Sequence, residues 1–406
     1  MKILRLATGY FLSLIIIACS PSTEIMSASD LARNSIIIDG HIDVPYRVLR
    51  EWEDVTGATD GGDFDYPRAI QGGLNAPFMS IYTPASLASE GKSKERAEEL
   101  ITLVENIVAT APDKYAIATS PLQIREQFDQ GLISLPLGME NGSPIEGQIE
   151  NIEYFFEKGI RYITLAHSLS NLISDSSYDS NKAHGGLSAF GEDVVKEMNR
   201  LGMIIDISHV SDGAFWDVMA ITSVPVIASH SSARHFTPGF ERNMSDEMII
   251  RLAENDGVIM INYGSAFVTE EANQYNSKRT VAWEKYLSSD DDAPLDLYGS
   301  EDGNDRDAFN DEYAKLNPYP FATLEQTLDH FDHVVELTGS VNHVGIGSDY
   351  DGVGDTLPIG LKDASSYPNL IQGLMDRDYS NDDIKKILGE NLLRAWSEIE
   401  NGALSN

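Results

Sequence analysis

Eight short runs of β-branched and apolar residues recur along the chain, each separated from the next by a helical pattern or a long loop. They are Ser35 to Val44, Ala76 to Thr83, Ile133 to Asn141, Ile160 to Ser168, Met203 to Val210, Pro225 to Ser231, Gly257 to Tyr263 and His343 to Tyr350. Between several of them, as in Glu192 to Leu201 and Asp246 to Ala253, apolar positions fall at helical spacing. Near-continuous apolar strands alternating with helices require a parallel sheet covered on its faces. Eight such units predict a closed (β/α)8 TIM barrel spanning residues 33–400 as one domain. A doubly wound open sheet is the alternative, but no glycine-rich phosphate loop follows the first run.

Composition narrows the chemistry. The 406 residues carry 64 acidic and 29 basic side chains, a formal net charge of −35, which repels phosphate backbones and speaks against nucleic acid as a partner. The single cysteine excludes an intrachain disulfide and a multi-cysteine zinc site, so any metal must use histidines and carboxylates.

That cysteine belongs to the amino terminus. Lys2 and Arg5 precede an apolar stretch ending in Ile16-Ile17-Ala18-Cys19, too short to span a membrane and patterned as an export signal over residues 1–18. The stretch resembles a bacterial lipobox, which implies lipidation of Cys19, a tether over 19–32, and an exported lipoprotein, outer-membrane bound, whose membrane contact is this anchor alone. Between the last two strands an insertion at about 265–320 has no long apolar run; from Glu284 to Glu312 it holds eleven acidic and two basic residues. It reads as a solvated lid or surface excursion, because its spacing lacks the ligand rhythm of an EF-hand loop.

The metal-capable residues follow the strands. His41 and Asp43 come after Ile36-Ile37-Ile38, Glu140 after Leu137-Gly138-Met139, His209 after Ile204-Ile205, His230 after Val226-Ile227, and Asp349 after Val344-Gly345-Ile346. In a barrel all these carboxyl ends share one face, the face that carries catalytic loops. His41 and Asp43, two apart on an extended strand, point the same way. Imidazoles and carboxylates without a thiolate suit Zn²⁺ or a similar divalent ion. Two such ions bridged by one carboxylate would clamp a water, lower its pKa and polarise a carbonyl, which points to metal-assisted hydrolysis. His167 also ends a strand run and is placed to donate to an oxyanion; His235, His330, His333 and His343 read as surface or flanking residues without a chemical role.

Taken in order, Asp39-Gly40-His41-Ile42-Asp43, Gly138-Met139-Glu140-Asn141-Gly142, Leu165-Ala166-His167-Ser168, Asp206-Ile207-Ser208-His209, Ala228-Ser229-His230-Ser231, Arg242-Asn243 and Gly347-Ser348-Asp349-Tyr350-Asp351-Gly352 resemble the membrane (renal-type) dipeptidase family of zinc peptidases in the amidohydrolase superfamily. The resemblance implies a (β/α)8 barrel with two Zn²⁺ per chain: His41 and Asp43 on one, His209 and His230 on the other, Glu140 bridging. It implies that Asp349 shuttles the proton, that a metal-bound hydroxide attacks, that His167 stabilises the tetrahedral intermediate, and that Arg242 binds the terminal carboxylate of a dipeptide, including one with a C-terminal D-residue. A homodimer is implied as well. Two departures stand out: Asn262-Tyr263-Gly264 replaces an aromatic pair, pointing to a remodelled substrate wall, and Met79 stands where a tryptophan is common. An amide hydrolase acting on N-acyl amino acids or β-lactams is the alternative enzyme, since Arg242 needs only a carboxylate beside an amide. A non-catalytic binding lipoprotein is the alternative of another class, disfavoured by the complete ligand set.

Overall fold

The computed structural model describes residues 26–289 and 304–404. Cys19, the export signal and Asp290 to Asp292 lie outside the described residues. Among the described residues ten strands form: β1 Ile37–Ile42, β2 Leu74–Tyr82, β3 Tyr115–Ile117, β4 Ile133–Leu135, β5 Leu137–Glu140, β6 Ile160–Thr164, β7 Ile204–Asp206, β8 Ile227–Ala228, β9 Val258–Ile261 and β10 Val344–Ile346. Eight of them close a parallel barrel in the order β1-β10-β9-β8-β7-β6-β5-β2. β1 bonds to both β10 and β2, so no edge is left and the open-sheet alternative is excluded.

Every expected strand run contributes to the barrel, but the third is split. Pro136 separates β4, which pairs with β3 in a small parallel sheet, from β5, which enters the barrel beside β2. A proline supplies no ladder donor, and it falls where the chain leaves one sheet for the other. The satellite sheet was not anticipated, since three residues are too few to show a period.

Alternate residues face two apolar layers, as strand geometry requires. Ile38, Phe78, Tyr162, Ile204, Ile227, Val258 and Met260 fill the barrel with Leu392, Trp396 and Ile399 of the carboxyl-terminal helix. Ile37, Met79, Ile81, Met139, Ile163, Ile205 and Ile259 pack outward under the helices. Met79 therefore lies between sheet and helices, outside the barrel interior. Gly138 permits the interior packing: a Cβ there would stand 1.9 Å from Cζ of Tyr162. The expected helix over 382–396 is interrupted, running as Asn381–Lys385, a π-turn at Lys386–Glu390, and Asn391–Leu404. Its Asn391 donates to the carbonyls of Val341 and Val344, which pins the helix beneath β10.

Two boundaries move. The expected tether ran to residue 32, but Ala28–Arg33 is a helix capped by Ser27, with Leu31 and Ala32 buried, so the folded body starts earlier. The insertion, expected as a solvated excursion, supplies the helices Ser265–Val268, Glu270–Ser289 and Asn304–Leu316. The last two meet through aromatic contacts, Tyr275 with Tyr313 at 5.5 Å and Trp283 with Phe309 at 5.2 Å between ring centroids.

Trp396 plugs the amino-terminal end of the barrel against Phe78, whose ring also meets Tyr162. Trp396→Ala is expected to lower unfolding stability by about 3–5 kcal/mol, the usual cost of truncating a fully buried aromatic. Denaturant unfolding checks this, and a loss under about 1 kcal/mol would show that the helix does not close the barrel.

Candidate active site and metal centre

The carboxyl ends of the barrel strands gather His41, Asp43, Glu140, His167, His209, His230 and Asp349. All are buried except His167, which is partly open to the cavity. Glu140 is their centre. Its Oε2 stands 3.5 Å from Nε2 of His41, which in turn is 3.4 Å from Oδ2 of Asp43. Its Oε1 faces the other side, 3.2 Å from Nε2 of His209, 3.4 Å from Nε2 of His230 and 3.3 Å from Nε2 of His167. The two carboxylate oxygens thus address different imidazole sets. His167 stands as close as the two expected ligands, but its side chain is 19% exposed against 6% for His209 and 1% for His230, so it is the imidazole that faces the cavity.

The donor set fits divalent cations on grounds internal to the protein. Nε2 of His41 and Oδ1 of Asp43 are buried without a hydrogen-bond partner, and Nε2 atoms of His209 and His230 converge to 2.8 Å. Groups of three ligand atoms within mutual reach are formed by His41, Glu140 and His230, by Glu140, His167 and His209, and by His41, Asp43 and Asp349. Gly352 keeps space open: a Cβ there would lie 2.2 Å from Oδ2 of Asp43 and 2.3 Å from Oδ1 of Asp349. Unpaired buried polar atoms are costly, and a shared cation is what such a set accommodates.

Electrostatics divide the imidazoles: at His41 burial opposes charge, but Tyr162, Glu140 and Asp43 outweigh it and push the ring well up. Burial pushes the His209 and His230 imidazoles well down, with Arg242 adding to the effect, so both stay neutral as ligands require. Burial works against charge on Glu140, but His41, His167, His209 and His230 outweigh it and hold the carboxyl well below its usual range. Asp349 goes the other way. Burial, with Asp43 and Glu140 nearby, pushes it up to about 7, while His41 and a 2.7 Å hydrogen bond from Nδ2 of Asn262 oppose the rise. A carboxyl in that range can both take and release a proton near neutral pH.

The supporting residues are largely ones the sequence reading passed over. Asp39 accepts from the backbone N–H groups of His41 and Ser348 and from the Tyr367 hydroxyl, lacing β1 to the loop after β10. Asp206 does the same between β7 and β8, accepting from the N–H groups of Ser208 and Ser229 and from the hydroxyls of Ser229 and Thr164. Ser229 in turn contacts Nδ1 of His230 at 2.7 Å, and the Tyr162 hydroxyl contacts Nδ1 of His41 at 2.8 Å. Such outer partners fix ring orientation and tautomer. Their signal was present: a lone carboxylate ending each of the apolar runs Ile36-Ile37-Ile38-Asp39 and Ile204-Ile205-Asp206. Backbone strain collects here too, with His209, Asp349 and Asn141 at φ of 66°, 63° and 79°.

Arg242 is buried beside the cluster. Its Nη1 donates to Oγ of Ser231 and its Nη2 to the His230 carbonyl, while Nε is unpartnered. The departure at Asn262-Tyr263 is not a remodelled wall: Asn262 serves Asp349, and Tyr263 is fully buried against Tyr350. His330 is interior rather than on the surface, accepting from the Ala233 N–H at Nδ1 and meeting the Val268 carbonyl at Nε2. His333 pairs with Asp246 and stacks on His235 away from the centre. The mouth above the cluster is a cavity of about 470 Å³ lined by Tyr82, Tyr178 and Val353 together with Phe267, Asn276 and Arg279 of the insertion. The insertion is therefore one wall of the site. A second cavity of about 580 Å³, under the loops at 142–148 and 169–173, contains none of these ligands.

With this geometry in place, likeness to known proteins can be weighed. The pattern of the family described as Membrane dipeptidase (Peptidase family M19) matches residues 25–406. Dipeptidase aclJ of Aspergillus oryzae is 33% identical over 351 residues, covering 85% of this chain and 72% of its own length. An uncharacterized dipeptidase of Schizosaccharomyces pombe is 28% identical over 380 residues, 90% of this chain and 81% of the relative. Among solved structures, the probable dipeptidase PvdM from Pseudomonas aeruginosa superposes with a TM-score of 0.76 at 26% identity, covering 92% of this chain and 98% of that one. A metallo peptidase from Rhodobacter sphaeroides, liganded with a phosphinate mimic of the dipeptide L-Ala-D-Ala, gives 0.71 at 22% identity, covering 90% and 99%. A (β/α)8 barrel whose strand ends converge on one buried glutamate, matched along nearly its whole length, belongs to the membrane dipeptidase family of metallopeptidases.

Proposed function

We propose that this protein is a two-zinc dipeptidase that cleaves the single peptide bond of dipeptides and tolerates a D-residue at the carboxyl-terminal position. The observation that carries the reading is the division of Glu140, with one oxygen toward His41 and Asp43 and the other toward His209 and His230. On this reading His41 and Asp43 would hold one ion and His209 and His230 the second, with Glu140 shared between the two sets. When bound, the ions supply an acidified water and an electrophile for the scissile carbonyl.

The remaining work falls to the chain. Asp349 takes the proton from the attacking water at a carboxylate oxygen and delivers it to the nitrogen of the leaving amine as the C–N bond breaks. Asn262 fixes its orientation through the bond to Oδ2. His167, at the cavity side of the cluster, donates to the oxygen on which charge develops. Arg242 meets the substrate's terminal carboxylate, since a guanidinium fork matches a carboxylate in shape and charge. A carboxylate required one residue beyond the scissile bond limits the substrate to dipeptides, and a cavity of about 470 Å³ suits a molecule of that size. The L-Ala-D-Ala mimic held by the Rhodobacter sphaeroides enzyme motivates including D-residues. The export signal and Cys19 support an exported lipoprotein held at the outer membrane by its amino-terminal lipid.

Metal-loaded mature protein, offered L-L and L-D dipeptides, N-acyl amino acids and a carbapenem, is expected to turn over dipeptides and to lose activity on chelation. Robust deacylation without dipeptide hydrolysis would favour the amide-hydrolase alternative. Asp349→Asn is expected to keep two zinc ions per chain while turnover falls by about 10²–10⁴, the range for removal of a general acid–base group. Simultaneous metal loss would make Asp349 a ligand instead. For the anchor, Cys19→Ser should abolish labelling by a lipid precursor, and unchanged labelling would remove the lipoprotein reading.

A further inference from the structure

On a chain with so many carboxylates, most of the described arginines are committed to one. Arg33, Arg47, Arg68, Arg96, Arg125, Arg200, Arg234, Arg251, Arg377 and Arg394 each make an ion pair. Among the described residues Arg50, Arg161, Arg242 and Arg279 make none. Arg161 spends its donors on the carbonyls of Thr119, Phe156 and Ile160, and Arg242, beside the ligand cluster, donates to Ser231 and to the His230 carbonyl. Arg50 and Arg279 line the mouth of the cavity that also contains Asp43, His167 and His209.

They reach it from separate elements. Arg50 ends the helix Val44–Arg50 that follows β1, and Arg279 sits on the insertion helix Glu270–Ser289. Each has a neighbour that steadies the guanidinium without neutralising it. Arg50 lies over the Tyr46 ring at 5.8 Å, and Arg279 lies near Tyr275 at 5.9 Å while donating to Oδ1 of Asn276. The carboxylates that share the cavity are already engaged. Asp351 is tied to Arg47 and to the Asp63 N–H, and Asp43, Glu140 and Asp349 stand at the floor within the ligand cluster. Charges elsewhere on the surface do not cancel the pair, because at physiological salt a charge is screened over roughly 8 Å.

We infer that Arg50 and Arg279 form a subsite for an anionic side chain, so that the enzyme prefers dipeptides bearing aspartate or glutamate. The inference rests on the dipeptidase reading, in which Arg242 takes the terminal carboxylate and leaves the mouth cations for a second one. It inverts what net charge alone would suggest, since an acidic protein presents a basic entrance. It also gives the insertion a task, because Arg279 and Asn276 belong to it.

The test compares near-isosteric pairs, Asp-Ala with Asn-Ala and Ala-Asp with Ala-Asn, on metal-loaded enzyme. At one of the two positions kcat/KM for the acid should exceed that for the amide by about tenfold, taking about threefold for each guanidinium pair. The difference should lie in KM and shrink as sodium chloride is raised. In the double variant Arg50→Gln, Arg279→Gln the ratio should fall toward one, and the Arg50→Lys, Arg279→Lys variant should recover part of it. A general folding defect would lower both members of a pair and leave their ratio standing. Calorimetric binding of the same peptides to the Asp349→Asn protein should give matching Kd ratios. Acid-to-amide ratios at or below one at both positions, or a ratio untouched by the double Gln variant, overturn the inference while hydrolysis of the amides preserves the dipeptidase reading. Absence of hydrolysis of all four peptides removes both.

Discussion

The structure turns on one buried carboxylate. Glu140 lies among four imidazoles at the floor of the cavity, itself buried, with Asp43 and Asp349 alongside, and the protein itself leaves Nε2 of His41 and Oδ1 of Asp43 without partners. Leaving a buried polar group unsatisfied costs on the order of 1–3 kcal/mol, more when it is charged. Non-glycine residues at positive φ, as at His209 and Asp349, add on the order of 1–3 kcal/mol each. A fold keeps such an arrangement only where rigid elements enforce it and a bound partner relieves it. Divalent cations are the partners that this mixture of imidazole and carboxylate selects.

The enforcing elements run through the barrel from end to end. Trp396 closes the amino-terminal end, Phe78 packs on it, Tyr162 packs on Phe78, and the Tyr162 hydroxyl meets Nδ1 of His41. Around this column Asp39 and Asp206 cross-link neighbouring strand ends through backbone N–H groups. Each brace touches the residue or the turn that carries a histidine, so apolar packing below and buried hydrogen bonding above act on the same side chains. Chemistry at the carboxyl face is thereby tied to core packing at the opposite end.

Much of this was legible in the sequence because it depends on local pattern. Strand runs such as Ile204-Ile205 and Val344-Gly345-Ile346 mark the barrel, and histidines or carboxylates just beyond them mark its active face. What escaped the reading depends on contacts between distant segments. Pro136 divides one apolar run between two sheets, Ala28–Arg33 docks where a tether was expected, and Asn262 turns to Asp349 rather than to substrate. The insertion shows the limit most clearly. Its acidic composition describes a solvated surface, yet the side chains it places at the cavity are Ala266, Phe267, Asn276 and Arg279.

The central claim is that Glu140 is shared by two metal ions. Anomalous diffraction from crystals of the zinc-loaded protein, recorded on both sides of the zinc absorption edge, addresses it directly. Two peaks flanking the Glu140 carboxylate, one against His41 and Asp43 and the other against His209 and His230, are the predicted result. A single peak, or peaks that bypass Glu140, would contradict the account.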